Sequence, residues 1–175
     1  MTRIAITGTG VFTPSDIITN AELVEAFNEY ARRFNERHAA EIAAGSVQAK
    51  PMSSEPGSAM HIHQSVTDLE TGRNIFSDRN GDPTPELFSF IGGSQKYLPA
   101  VICMLAPYVN SYRRLVRSAS APVNTMWGYD NRTVGLRVPG SSPAARRVEN
   151  RIPSSDANPY LAIAASLACG YLGMV

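Results

Sequence analysis

The sequence predicts an α+β fold, an antiparallel sheet with helices on it, preceded by a strand–helix piece. Three observations predict it. Two segments alternate with the period of a strand, Met60 to Ser65 and Arg146 to Ile152. Helix start signals stand at Asn20, at Thr84-Pro85 and at Asn158-Pro159. Between them lie polar or Gly/Pro-rich turns. The 175 residues suffice for an ordinary core. A hydrophobic share of 43% with 18% charged residues reads as a soluble globular protein. The net charge of +1 gives no global bias toward nucleic acid or an anionic membrane. No run approaches the roughly 20 apolar residues that span a bilayer, and the start MTRIAITGTG is strand-like rather than a secretory leader. Cys103 and Cys169 sit in apolar runs with no CxxC pair, so buried free thiols in a reducing cytosol are expected.

In chain order, Arg3 to Thr7 reads as a buried strand and Gly8-Thr9-Gly10 as a turn; a GxG without a third glycine is a poor nucleotide signal. Asn20 caps a long helix closed by Gly45, with Leu23, Phe27, Tyr30, Phe34 and Ile42 on its apolar face. His38 lies among charges and reads as a surface histidine. The character changes at Gln48 to Met52, which sets a domain boundary: residues 1–50, then 51–175. Gly57 leads into the histidine strand, where His61, His63 and Ser65 share one face and Met60 and Ile62 the other. Thr71 to Asn74 is a hairpin turn. Thr84 caps a helix carrying Leu87, Phe88, Ile91 and a Gly92-Gly93 pair that would let another backbone approach. Arg132 to Val138 alternates as a strand, with Arg132 and Arg137 of opposite parity, so the two converge only if the strand's start bends. In Arg146 to Ile152, Arg147, Glu149 and Arg151 share a face. From Asn158-Pro159 an Ala-rich helix runs to the end.

Eight arginines lie from Arg113 to Arg151 against two acids, Asp130 and Glu149. The guanidinium fork suits phosphate and carboxylate ligands, though a solvated basic face has the same composition. Glu149 between two arginines is either a rung in a salt-bridge ladder or a metal-ligating carboxylate flanked by anion-binding arginines. Imidazole is a common metal ligand and also a donor to phosphate, so His61 and His63 fit either use.

Two resemblances add to this reading. Ile4 to Pro14 with Thr19-Asn20-Ala21-Glu22-Leu23 resembles the N-terminus of a beta-ketoacyl-acyl-carrier-protein synthase III, over about 50 residues. Neither cysteine has the surroundings of that family's nucleophile, so no condensing chemistry is implied. From about residue 49 to 175 the chain resembles the catalytic domain of a glutamine synthetase. The matching motifs are Lys50-Pro51-Met52, Gly57 to Ser65, Asn110 to Leu115, Ala121-Pro122-Val123, Asn131-Arg132 with Arg137, Ala145 to Glu149, and Asp156 to Leu161. That family phosphorylates the side-chain carboxylate of glutamate with ATP and displaces phosphate by an amine.

The resemblance implies ATP and Mg2+ or Mn2+ as cofactors. It implies His61 and Glu149 as metal ligands, and His63, Ser65, Arg137 and Arg147 as ATP-binding. It implies Gly57, Arg114 and Arg151 at the substrate glutamate and Arg132 as catalytic, in a cytoplasmic homo-oligomer without nucleic acid or membrane partners. Ser120 stands where ammonia-using members carry a flap glutamate. With Trp127-Gly128-Tyr129-Asp130-Asn131, that resembles the gamma-glutamylpolyamine synthetase branch, so a polyamine is favoured over ammonia. Pro56 and Ala144 depart from the family pattern, and the strands that supply most of the family's metal-binding glutamates are not found in this sequence. The expectation is therefore a chimera whose ligase is incomplete, and weakly active or inactive alone. The alternatives are a non-catalytic nucleotide-binding or oligomerisation module and, with only the first 50 residues in its favour, a condensing-enzyme-like protein.

Overall fold

The computed structural model describes residues 4–5, 25, 29, 32–33, 36, 49–50, 56–116 and 121–175. The chain divides into two units, Met1–Ile6 with Gln48–Val175, and Thr7–Val47. In the smaller unit Glu25, Glu29, Arg32, Arg33 and Glu36 are helical, as expected. Arg32 pairs with Glu29 at 3.0 Å and Glu36 at 2.7 Å, and Arg33 with Glu29 at 2.6 Å. These pairs, three and four residues apart, are the solvated face of that helix. The Asn20 cap, the expected apolar face, His38 and the glycine turn lie outside the described residues.

The larger unit holds β1 (Ile4–Ala5), β2 (Ile62–Gln64), β3 (Thr67–Asp68), α1 (Pro85–Tyr97), α2 (Ile102–Leu105), α3 (Val109–Arg114), β4 (Trp127–Tyr129), β5 (Leu136–Val138), β6 (Val148–Asn150) and α4 (Pro159–Tyr171). β1 pairs with β3, and the other strands form one sheet in the order β2-β6-β5-β4. β2 pairs antiparallel with β6, His63 opposite Glu149, and β5 antiparallel with β6, Arg137 opposite Glu149. β4 and β5 are parallel, so the expected α+β sheet is mixed, with its β2–β6 and β5–β6 pairs antiparallel. Parallel neighbours usually need a long crossover. Here each strand is three residues, about 10 Å, so 130–135 can carry the chain back. Asp130 starts the return at a positive φ of 46°, and the Asn131 carboxamide accepts from the Thr133 amide at 2.9 Å. The regular strands are also shorter than the alternation suggested: Arg132 to Gly135 is a bend, and β5 starts at Leu136.

One face of the sheet packs on α1 and α4. Ile62, Leu136, Val138 and Val148 meet Leu87, Phe90, Ile91, Ala162, Ala165 and Cys169 in one core, with Phe76 against Phe90 at 5.3 Å between ring centroids. A satisfied chain of polar groups crosses this layer: Asn150 Nδ2 donates to Ser166 Oγ at 3.0 Å, and Ser166 Oγ donates to Gln64 Oε1 at 2.6 Å. Where α1 crosses α4, Gly93 lies against the Cys169 carbonyl and Gly173, as expected for backbones in close approach. Its neighbour Gly92 faces open space, so one glycine of the pair makes the contact.

Asn158 caps α4: its Oδ1 accepts from the amides of Tyr160 at 3.0 Å and Leu161 at 3.3 Å. Asn158→Ala should lower stability by about 1 kcal/mol, read as a shift of the urea midpoint. Thr84 precedes α1 as expected but does not cap it; its hydroxyl donates to the Ile75 carbonyl at 2.6 Å. Cys169 is buried, and burial pushes its thiol up. Cys103 is exposed, contrary to expectation, because the single turn of α2 points Leu105 inward and Cys103 outward. Among the described residues no helix is long and apolar enough to cross a membrane.

Candidate active site

Alternation sorts the sheet's second face. Ile62 and Val66 are buried while His61, His63 and Ser65 are exposed, as the sequence predicts. β6 lies next to β2 in the sheet, so Glu149 comes beneath the two imidazoles. His61 Nδ1 stands 3.1 Å from Glu149 Oε1. Arg151 Nη1 donates to the same oxygen at 2.5 Å, and Arg137 Nη1, from β5, donates to Oε2 at 2.8 Å. Glu149 is only 2% exposed. The ladder of ion pairs is therefore present, centred on a carboxylate that also faces an imidazole. Burial pushes the Glu149 carboxyl up. Hydrogen bonds from His61 and Arg137 and the charge of Arg151 outweigh it and hold the group at about 2.

Arg147 points to the same face. Its Nε donates to His63 Nδ1 at 3.1 Å, and its Nη1 to the Ala145 carbonyl at 3.1 Å. An arginine only donates, so His63 Nδ1 is an acceptor there and the imidazole is neutral. Burial pushes His63 below its ordinary 6.5, helped by the charges of Arg147, His61 and Arg137 and opposed by Glu149. Arg146, of opposite parity, turns away: it donates to Ser77 Oγ and the Gly81 carbonyl, each at 2.9 Å, and ties two loops together. Two adjacent arginines thus have different work, one in the site and one in the frame.

At the other end of the cluster, Arg114 is buried on α3 and donates through Nη2 to the Ile152 carbonyl. Burial pulls its guanidinium down to about 10, with Asp156 opposing and Arg151 adding to the fall. Gly57 lies on the stem of Arg114; a Cβ there would sit 2.6 Å from Arg114 Cγ and 2.9 Å from the Ala49 carbonyl oxygen. Asp156 accepts from Ser111 Oγ at 2.9 Å and from Ser154 Oγ, fixing the end of β6 to α3. Asn110 clamps Lys50 through two hydrogen bonds, at 2.6 and 2.8 Å, and holds residue 50 beside this corner.

The structure thus joins His61, Glu149, Arg137 and Arg151 in one cluster, His63 with Arg147 beside it, and Gly57 with Arg114 at its end. Ser65 lies farther along the same face. Arg132 is exposed in the bend before β5, and among the described residues it makes no hydrogen bond or ion pair to Glu149. The sequence reading missed Asp130, whose carboxylate takes the second fork of Arg137 at 2.8 Å. It also missed the structural use of Asp156 and Asn110. Among the described residues no group of three or more His, Cys, Asp or Glu stands together as a metal cluster. Among the described residues, the cluster around Glu149 offers a metal one imidazole and one carboxylate.

Residues 12–175 match the family model of the glutamine synthetase catalytic domain. The match begins inside the stretch that resembles a condensing enzyme. The chain is 44% identical over 133 residues to type-1 glutamine synthetase 2 of Dictyostelium discoideum, covering 74% of this chain and 25% of that protein. It is 42% identical over 120 residues to gamma-glutamylputrescine synthetase PuuA of Escherichia coli (strain K12), covering 69% of this chain and 25% of that one. It is 36% identical over 165 residues to a glutamine synthetase of Halobacterium salinarum, covering 93% of this chain and 36% of that one. The chain therefore spans a quarter to about a third of the length of these relatives.

Proposed function

The chain belongs to the glutamine synthetase family, within its catalytic domain, and from that premise we propose that it serves an ATP-dependent ligase joining glutamate to an amine through gamma-glutamyl phosphate. The reading rests above all on the Glu149 cluster, a carboxylate kept ionised by two guanidiniums and facing an imidazole. The chemical problem is that two anions must meet. In the first step an oxygen of the glutamate side chain attacks the γ-phosphorus and the bond to the bridging oxygen breaks, releasing ADP. In the second the amine nitrogen attacks the acyl carbon, phosphate leaves and the nitrogen loses a proton.

In this reading Arg114, Arg151 and the Gly57 backbone hold glutamate. Arg137, Arg147, His63 and Ser65 bind ATP, with neutral His63 offering its Nε2–H to a phosphate oxygen. Arg132 swings in from its exposed bend to the transferring group. His61 and Glu149 would hold a divalent ion. His61 Nδ1 and Glu149 Oε1 face each other at 3.1 Å, and to take an ion there Nδ1 would give up the proton it now directs at that oxygen. Such an ion, Mg2+ or Mn2+, neutralises phosphate charge when bound. Two ligands fall short of its coordination number, so further oxygens must come from elsewhere, and we propose that this chain alone turns over weakly or not at all. Identity to a putrescine-using relative and Ser120 in place of a flap glutamate favour a polyamine. The boundary near residue 50, a homo-oligomeric parent and a cytoplasmic location belong to the same proposal.

The test is MgATP binding by calorimetry, alongside ADP release with glutamate plus putrescine or plus ammonia. Binding that His61→Ala and Glu149→Ala each weaken about tenfold or more is the expected result. Robust ADP release with either amine would refute the defect. Binding that survives both substitutions would favour the non-catalytic nucleotide-binding module.

A further inference from the structure

Asp130 is the described non-glycine residue with a positive φ, 46°. Aspartate tolerates that conformation better than most residues, but it is still uncommon and persists where its surroundings over-determine it. They do so here. The Asp130 amide donates to the Val138 carbonyl at 3.0 Å. Asp130 Oδ1 accepts from the Gly140 amide at 2.9 Å and from Arg137 Nη2 at 2.8 Å. A Cβ at position 140 would lie 2.8 Å from Asp130 Oδ2, so the glycine makes room for the carboxylate. On β4, Gly128 stands opposite Arg137 and leaves the path across the strand clear of any side chain. The Gly140 amide and the Arg137 guanidinium both pull the Asp130 carboxyl below its ordinary value, so it is ionised at neutral pH.

Arg137 is thus gripped at both forks, by Glu149 from the buried side and by Asp130 from the exposed side. The two grips are not equivalent. Both oxygens of Glu149 are already engaged, by Arg137 on one and by Arg151 and His61 on the other. Any ligand drawn to Glu149 competes with its bond to Arg137. Asp130 faces solvent, with 61% of its side chain exposed, and is out of reach of that competition.

We propose that Asp130 is a positioning residue: it keeps the Arg137 guanidinium extended across β4 and aimed at the Glu149 cluster when Glu149 engages an incoming ion or substrate. What Arg137 then binds, a phosphate oxygen, rests on the ligase reading above. The positioning itself does not.

The experiment compares the chain with Asp130→Asn and Asp130→Glu. Without ligand, the Arg137 guanidinium is followed by side-chain 15N NMR at low temperature. In the unaltered protein both terminal nitrogens should show hindered rotation. In Asp130→Asn one should become mobile while the other, held by Glu149, stays fixed, and Asp130→Glu should restore it. MgATP titration should then show about tenfold weaker binding for Asp130→Asn, with the melting temperature within about 2 °C and recovery in Asp130→Glu. An Arg137 signal that does not respond to Asp130→Asn would overturn the proposal, as would unchanged MgATP affinity. If the Arg137 signal responds and the unaltered chain binds no MgATP, the positioning stands and the ligase reading falls.

Discussion

Glu149→Ala is expected to lower folding stability by about 4 kcal/mol, a large share of a domain's total. Glu149 pairs with Arg151, which is 4% exposed, and is one of two described carboxylates that pair with Arg137. Its removal takes a carboxylate from the buried Arg151 and from Arg137, which keeps Asp130, and breaking buried pairs costs more than the small net worth of the intact pairs. Glu149→Gln should cost less, since the amide oxygen still accepts from one guanidinium. The same group sets an acid limit. Its carboxyl is held at about 2 in the folded chain against an ordinary 4.5. A depressed folded value contributes stability that is fully present above about 4.5 and is lost as pH falls toward 2. Urea midpoints measured from pH 6 downward should fall steeply in that window, and the part due to this group should vanish in Glu149→Gln. An alanine variant within 1 kcal/mol of the parent would mean the cluster is solvated and contributes little.

Gly93→Ala is expected to cost about 2–3 kcal/mol by overpacking. An added Cβ would meet the Cys169 carbonyl oxygen and the Gly173 amide at 2.5 Å, and backbone atoms cannot turn aside as a flexible side chain can. The helices would have to separate, and the core beneath them would loosen. Gly92→Ala is the control. Nothing lies within 4 Å of a Cβ there, so alanine's better helix propensity should leave stability unchanged or raise it by about 0.5–1 kcal/mol. Equal losses in both variants would show that helix propensity, not the crossing, governs this pair.

The parts of the site that depend on strand parity were legible in the sequence. Period two alone puts His61, His63 and Ser65 on one face, and Arg147, Glu149 and Arg151 on another strand's single face. Their meeting needed the pairing of β2 with β6, which no local pattern states; the motif resemblance supplied the expectation that they belong together. The strand β4 was not read in the sequence, and its parallel pairing with β5 departs from the hairpin that a short connection usually makes. The return begins at the positive φ of Asp130, and its signals were slight: an Asp-Asn pair able to adopt positive φ, and a glycine ten residues on. Arg132 could not be placed because its approach depends on a bend rather than on periodicity. The different roles of Arg146 and Arg147 follow from parity, but the loop that captures Arg146 comes from about 65 residues earlier, beyond any local reading. Cys103 shows the limit of composition: an apolar run fixes neither which side of a one-turn helix faces out nor whether its thiol is covered.

The register of β2 against β6 has a kinetic side. Ile62 pairs with Asn150, so this outer antiparallel ladder joins residues 88 apart in sequence. Closing so long a loop costs about 4 kcal/mol of chain entropy beyond the fixed term, whereas α1 and α4 each form from local contacts. Until β6 has been synthesised, the histidine strand lacks its antiparallel partner and waits with an open edge. The face that carries the histidines and Glu149 is therefore a late product of folding, and slow assembly of that face would prolong the exposure of the edge on which the site is built.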